Sequence, residues 1–400
     1  MLTYKHVAAV MTAATLSCAV VAGAAAQGAV TPAAEPWREP QDTTAAVFEP
    51  DRYAWRVFVA LNWPASTLQK EADPTKPFGA PGPAVWETWR NVRPGASDTV
   101  FRPDGRDPGP WLTGATPVVA RAESQFDRRP LKLEGLQTLP GRTGRPQIGP
   151  AFDPAVGNFH EVRLNLPTYE FIRTNALFNV EGQLAQVAAG KENLNFPPSS
   201  KEIKAVWRKI READKPRYHW AEVTASSGAR EAWGLTAIHI STKDVPNWFW
   251  TTFEHIDNKP AGSGTSDMPN IGWQTKSVDR FACPAPPHDC DKAPAGIGLQ
   301  GTKWENYRLR GTQLDFVSSI GATTILGNSQ IEAGFQATSS CVTCHAVAAI
   351  DRQGGRLGGF TPIVGVPQPE WFRDPATGQR LFMQLDFVFS LQRAARLNPP

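Results

Sequence analysis

The stretch AWGLTAIHIST (232–242) decides the fold class, together with YHWAEVTA (218–225) before it and WFWTTFEHI (248–256) after it. All three are rich in aromatic and β-branched residues, which are enriched in strands. Turn residues such as Gly228 separate them. We therefore expect three antiparallel strands here, and a further strand within residues 304–317, WENYRLRGTQLDFV.

Helical spacing is found before these strands. Trp55 and Phe58 recur at helical spacing within residues 51–63, and Pro64 ends the predicted helix. Residues 160–184 are also expected to be largely helical.

Residues 201–210, KEIKAVWRKI, give the strongest helix signal. The preceding serines and Glu202 form a capping box, S-S-K-E at 199–202. Apolar residues then recur at i, i+3, i+4 and i+7: Ile203, Val206, Trp207 and Ile210. The basic residues predict a solvated face that can also dock an acidic partner: Lys201, Lys204, Arg208, Lys209 and Arg211.

Composition bounds the class of protein. The chain has 400 residues, 41% of them hydrophobic, and a net charge of +3. At about 100–200 residues per domain, this is room for two or three globular domains. So small a net charge gives no basic field for nucleic acid, and we expect no nucleic-acid partner.

The N-terminus reads as an export signal. Lys5 and His6 precede an apolar stretch that ends in Ala24-Ala25-Ala26, an A-x-A cleavage pattern. The stretch is short and alanine-rich for a membrane anchor, and Thr-Leu-Ser before Cys18 is a poor lipoprotein site. We expect a signal peptide over 1–26 that is cleaved near Ala26, a periplasmic location, and no membrane span in the mature chain.

Four cysteines remain after cleavage, in two pairs. Cys283 and Cys290 bracket a Pro-rich segment, which in an oxidising compartment predicts a disulfide closing a small loop. A metal clip that also uses His288 is the alternative, but its spacing is unlike that of zinc sites.

The second pair lies in Cys341-Val342-Thr343-Cys344-His345, a C-x-x-C-H. This is the attachment signature of a c-type haem. Two thiols one helical turn apart reach the two vinyl groups of one porphyrin edge, and the next residue, His345, projects its imidazole at the iron. The single motif predicts one covalent haem c.

Two other interpretations of the motif remain. A thioredoxin-type dithiol would follow a strand and open a long helix, whereas the residues before Cys341 are polar and resemble a helix cap. A zinc site would need further ligands, and the chain has no second C-x-x-C.

The order of elements near the motif resembles a small cytochrome c: helix, C-x-x-C-H, loop and a C-terminal helix over 382–396. The sequence thus predicts an α+β protein with a flexible leader (27–50), a large aromatic-rich domain containing an antiparallel sheet (51–319) and a mainly α-helical, cytochrome c-like haem module (320–400).

Several segments together resemble a family of exported bacterial mono-haem proteins known as the "cytochrome c family". They are KEIKAVWRKI (201–210), WGLTAIHIS (233–241), NWFWTTFEHIDN (247–258), WENYRLRGTQ (304–313) and LGNSQIEAGFQATSSCVTCH (326–345). The resemblance spans roughly residues 50 to 390. It implies one haem c beside a large domain, and it implies no particular substrate.

Two classes of function follow. In the first, the protein is an electron-transfer cytochrome that exchanges electrons with a periplasmic redox partner. In the second, it is a haem enzyme, a peroxidase or small-molecule oxidoreductase, whose large domain forms a distal pocket. The candidate acid–base groups are His255, beside Glu254 and Asp257, and His239, which as a strand residue would share a face with Leu235.

The sixth iron ligand separates these classes, because an electron carrier usually keeps its iron six-coordinate. Met383 is the one Met or His downstream of the motif and is the first candidate, although it can equally pack a helix. Met268 and His255 are rivals, and an open position is the third alternative.

Overall fold

The computed structural model describes residues 35–66, 70–111, 121–129, 158–258, 296–328, 330–332, 339–357 and 364–397. The predicted signal peptide, the Cys283–Cys290 disulfide and Met268 lie outside these residues. Among the helices described, none has the length and apolarity needed to cross a bilayer.

The described residues form short helices and a large sheet. The α-helices are α1 (Ala45–Phe48), α2 (Pro50–Leu61), α3 (Leu166–Thr174), α4 (Val180–Ala188) and α5 (Cys341–Ala346). The strands are β1 (Arg90–Asn91), β2 (Arg121–Ala122), β3 (Asp127–Arg129), β4 (Asn158–Leu164), β5 (Lys201–Lys209), β6 (Trp220–Thr224), β7 (Arg230–Thr242), β8 (Phe249–His255), β9 (Tyr307–Gln313), β10 (Ala349–Asp351) and β11 (Phe382–Gln384).

Strands β1 to β9 form one sheet, centred on the long strand β7. One edge of β7 pairs with β5, which continues through β4 to β1 and β3. The other edge pairs with β6 near its start and with β8 near its end, and β9 follows β8. All pairs are antiparallel except β2 with β6. The helix expected over 51–63 and the four strands expected between 218 and 317 are confirmed as α2 and β6 to β9.

Both faces of the sheet are covered. On the first face a large apolar cluster lies under α2, where the rings of Trp55 and Phe58 pack on Phe253 at 4.8 and 4.3 Å between centroids. On the second face another cluster joins Trp250 of β8 to Cys341 and other residues of the C-terminal segment. The sheet therefore separates the protein into two cores and carries the C-x-x-C-H segment on its second face.

The helix predicted over 201–210 is wrong, because these residues form β5, a central strand. Ile203 and Trp207 belong to the first cluster, while Val206, an even-numbered residue, is buried on the other face. A strand buried on both faces carries apolar residues at odd and at even positions. In β5 these residues together reproduce the i, i+3, i+4 spacing of a helix. The basic residue Lys204 consequently lies on the second face and not on a solvated helix.

The helix predicted over 160–184 is partly wrong. Its first part is β4, which pairs with β5 from Phe159 to Leu164. Helices α3 and α4 follow, and the Asn165 side chain caps α3 by accepting the backbone N–H of Thr168.

The prediction of a mainly α-helical haem module over 320–400 is also wrong, and so is the fold class that depended on it. Between residues 320 and 397 the described residues hold one six-residue α-helix, α5, and two paired strands, β10 and β11. The expected C-terminal helix is interrupted because Asp386 and Phe387 adopt positive φ angles of 48° and 67°. Leu385, Val388 and Leu391 are all buried, and their spacing of three produced the helical pattern.

Candidate functional site

The C-x-x-C-H motif forms α5, as its polar lead-in predicts. Ser340 caps the helix, its hydroxyl accepting the backbone N–H of Thr343 at 3.3 Å. Cys341 and Cys344 are thus one turn apart on a real helix, and His345 follows in its last turn.

The sheet holds this helix through Gln313, the last residue of β9. The Gln313 side-chain oxygen accepts the backbone N–H of Val342 at 3.0 Å, and its amide nitrogen donates to the Ser340 hydroxyl at 2.8 Å. Gln313 also pairs with Trp250 across the β8–β9 ladder. The buried Gln313 side-chain amide therefore satisfies hydrogen-bonding groups at the start of α5 and holds this helix against the β8–β9 pair.

Both thiols lie below the surface, and within the described residues they form no disulfide with each other. Cys341 is buried, and Cys344 is partly buried. Burial raises the pKa of both thiols, that of Cys344 to about 12. Catalytic dithiols have lowered pKa values, so this environment does not favour the redox-dithiol interpretation.

His345 is oriented by a backbone carbonyl. Its Nδ1 donates to the carbonyl oxygen of Phe387 at 2.8 Å, since a carbonyl can only accept. Burial lowers the pKa of His345 to about 4, which keeps the imidazole neutral with its lone pair on Nε2. The ring packs between Trp250 and Phe389, at 4.5 and 5.2 Å between centroids.

The residue before Phe387, Asp386, is anchored through its buried carboxylate. Asp386 accepts the Lys243 ammonium at 2.6 Å and the backbone N–H of Phe196 at 2.7 Å. These contacts stabilise the two consecutive left-handed residues, Asp386 and Phe387, whose conformation costs energy without such support.

Three ionisable side chains lie near the motif, and we call them the sheet cluster: Lys204 of β5, His239 of β7 and Glu332. His239 pairs with Lys204 across the ladder, and its Nε2 lies 3.3 Å from the Glu332 carboxylate. Burial has the largest effect on the pKa of His345, and to a smaller extent the Lys204 charge lowers this pKa and the Glu332 charge raises it. The cluster is therefore close enough to the motif to act on it electrostatically.

A fourth ionisable group, Glu202, shares this face of β5 with Lys204. Its carboxylate accepts the Ser390 hydroxyl at 2.9 Å, and Ser390 follows Phe389, which packs on His345. Burial raises the pKa of Glu202 to about 7 from its usual 4.5.

The other candidates from the sequence lie elsewhere. His255 belongs to the first face, where its Nε2 contacts the Arg217 carbonyl at 3.0 Å and its ring stacks on Tyr218. Its neighbour Glu254 pairs with Arg310. Met383 lies in β11 opposite Ile350, 1% exposed and within the second cluster.

His239 and Leu235 do not share a face as expected. Val206 pairs with Ala237 but Trp207 pairs with Leu235, so Thr236 is an extra residue in β7. This bulge turns Leu235 into the first cluster and leaves His239 toward the motif. Sequence reasoning also missed Lys204, which it assigned to a helix, and Glu332, for which the sequence carries no signal.

These residues fit a covalently attached haem. Two thiols lie one turn apart on α5, and the adjacent imidazole is oriented with Nε2 as its acceptor. A zinc ion requires about four converging ligands. Among the described residues, no group of three or more His, Cys, Asp and Glu is arranged to hold a metal ion, so the zinc interpretation has no support there.

Replacing Gln313 by Leu should lower the free energy of unfolding by about 1–3 kcal/mol, because the Val342 N–H and the Ser340 hydroxyl lose their buried partner. Urea denaturation followed by circular dichroism measures this. Gln379→Leu, at an exposed position, is the matched control and should change stability by less than about 0.5 kcal/mol. Equal effects of the two variants would contradict the proposed role.

The carboxyl of Glu202 should make stability fall as the pH rises. Between its usual pKa of 4.5 and its folded-state pKa of about 7, the native chain keeps a proton that the unfolded chain has lost. Relative to Glu202→Gln, the native protein should lose about 1–3 kcal/mol of unfolding free energy between about pH 5 and about pH 8. Urea titrations of both proteins at both pH values test this. An unfolding free-energy difference between native protein and Glu202→Gln that is the same at the two pH values would contradict it.

Comparison of the chain with protein-family models, with curated proteins and with solved structures returns no match. The similarity to the exported cytochrome c family therefore stays a prediction from the segments quoted above.

Proposed function

We propose that this protein is an exported mono-haem c-type cytochrome whose function is electron transfer. One haem would be attached through thioether bonds to Cys341 and Cys344, with His345 as an axial ligand. The observation that carries the proposal is the hydrogen bond from His345 Nδ1 to the Phe387 carbonyl, because it leaves Nε2 free to bind iron beside two thiols on the same helix.

The surrounding residues serve a redox centre in three ways. Gln313 and Ser340 hold α5 in place, so that the thiols and the imidazole keep a fixed relation to one another. The Phe387 carbonyl accepts a hydrogen bond from the Nδ1–H group, which would make the imidazole a stronger electron-pair donor to iron through Nε2. The ring of Trp250 and the apolar second cluster limit water around the motif. When bound, the haem supplies one-electron chemistry between ferrous and ferric iron.

An electron carrier also needs contact with its partner. An open cleft of about 580 Å³ is lined by Ala346, the residue after His345, and by Phe387. The helix of the motif thus reaches a surface recess, which supports exchange with another protein. The partner would be a periplasmic redox protein, and the predicted signal peptide, cleaved near Ala26, would bring this chain to the same compartment.

A haem enzyme is the second candidate function. It is favoured by the sheet cluster, because Glu332, His239 and Lys204 offer an acid, a base and a cation near the motif. An enzyme of this kind would keep one iron position open for its substrate.

Covalent attachment can be tested with cysteine variants. The protein made with its signal peptide in a host that matures c-type cytochromes should stain for haem on a denaturing gel. Cys341→Ala combined with Cys344→Ala should abolish the stain, because no thioether can form.

The second cysteine pair provides the matched control. Cys283→Ser combined with Cys290→Ser should keep the stain at the native level. A haem-free protein containing zinc, or a stain unaffected by loss of Cys341 and Cys344, would overturn the proposed function.

A further inference from the structure

One imidazole nitrogen near the motif is not satisfied by the described residues. His239 Nε2 is buried and makes no hydrogen bond with any of them, although the Glu332 carboxylate lies 3.3 Å away. The side chain is 12% exposed and projects from the middle of β7, the central strand of the sheet. A buried polar atom of this kind calls for an explanation, such as a redox role or a bound ion.

The strand register places this imidazole close to His345. Ser241 pairs with Trp250 and His239 pairs with Thr252, so His239 and Trp250 are diagonal neighbours on one face. Such neighbours are about 7–8 Å apart, and side chains of this size can reach across. His345 packs on that same Trp250, at 4.5 Å between ring centroids.

We propose that His239 is the second axial ligand of the haem iron, binding through Nε2 opposite His345. This inference rests on the proposed function. It makes the protein a bis-histidine, six-coordinate cytochrome, and therefore an electron carrier and not an enzyme with an open iron position.

The other candidates fit this position less well. Met383 is in a paired strand with its side chain 1% exposed in the apolar second cluster, where it packs like a core residue. His255 is on the opposite face of the sheet and already contacts the Arg217 carbonyl. His219 is paired with Glu87, in contact with Trp304 of the first cluster.

The Glu332 carboxylate has a clear place in this arrangement. It accepts the Asn328 backbone N–H at 2.8 Å, which fixes it beside His239. Its negative charge favours ferric iron bound at the neighbouring nitrogen. Glu332 lies beside the nitrogen proposed to bind iron, so it acts through its charge and not by orienting the ring. Glu332→Gln should therefore raise the reduction potential without changing the ligands.

The ferric spectrum of the haem-loaded full chain tests the proposal without any variant. Visible absorption and electron paramagnetic resonance should report low-spin iron with two imidazole ligands, and no weak long-wavelength band of a Met–Fe(III) bond. His239→Ala should become high-spin and bind carbon monoxide when reduced. Added imidazole should restore the low-spin spectrum of that variant.

Met383→Leu is the matched control and should leave the native spectrum unchanged. A Met–Fe(III) band that Met383→Leu removes would overturn the inference, as would a high-spin native spectrum or a low-spin spectrum that His239→Ala leaves intact. In each of those cases the haem content, measured as the pyridine haemochrome, stays at one per chain and covalent haem attachment stands. Electron transfer also stands in the two low-spin cases, whereas a high-spin native spectrum would favour the haem enzyme. Absence of covalent haem from the native protein would overturn both.

Discussion

The hydrogen bond between His345 Nδ1 and the Phe387 carbonyl is the contact on which the candidate site depends. That carbonyl is available only because Asp386 and Phe387 hold left-handed backbone conformations, and Asp386 is fixed in turn by Lys243. Lys243 directly follows β7. A buried ion pair of this kind is costly to break, at about 3–5 kcal/mol when one partner is removed. The segment that orients the imidazole is thus anchored to the end of the central strand of the sheet.

The sheet supports the site because it is covered on both faces. Its first face packs on α2 and forms a core that is independent of the motif. Its second face supplies Trp250, Gln313 and the sheet cluster to the C-terminal segment. A haem attached to α5 would therefore contact residues from widely separated parts of the chain. In its described residues, the C-terminal segment, 320–397, contributes only α5, β10, β11 and short turns to such a site.

Several elements of the fold were predictable from the residue types and spacing of short segments. The aromatic and β-branched composition of β6 to β9 and the spacing of Trp55 and Phe58 in α2 are local signals, and they gave correct elements. The polar cap before Cys341 likewise predicted α5. The C-x-x-C-H motif is defined by residue type and spacing, so it can be recognised without knowing which residues surround it in the fold.

The errors arose where tertiary burial overrides local pattern. In β5 the two covered faces produced helical spacing, and between Leu385 and Leu391 a buried irregular segment did the same. The sheet cluster was hidden for a different reason. Lys204, His239 and Glu332 are brought together only by strand pairing and by the fold of the C-terminal segment, and a one-residue bulge at Thr236 decides which way His239 faces.

Intact-protein mass spectrometry with backbone fragmentation tests the central claim most directly. The mature chain should carry the mass of one haem, and fragmentation should locate that mass on the α5 segment that contains both Cys341 and Cys344. A mature chain at its unmodified mass with two free thiols in α5, or a haem located elsewhere, would contradict the account.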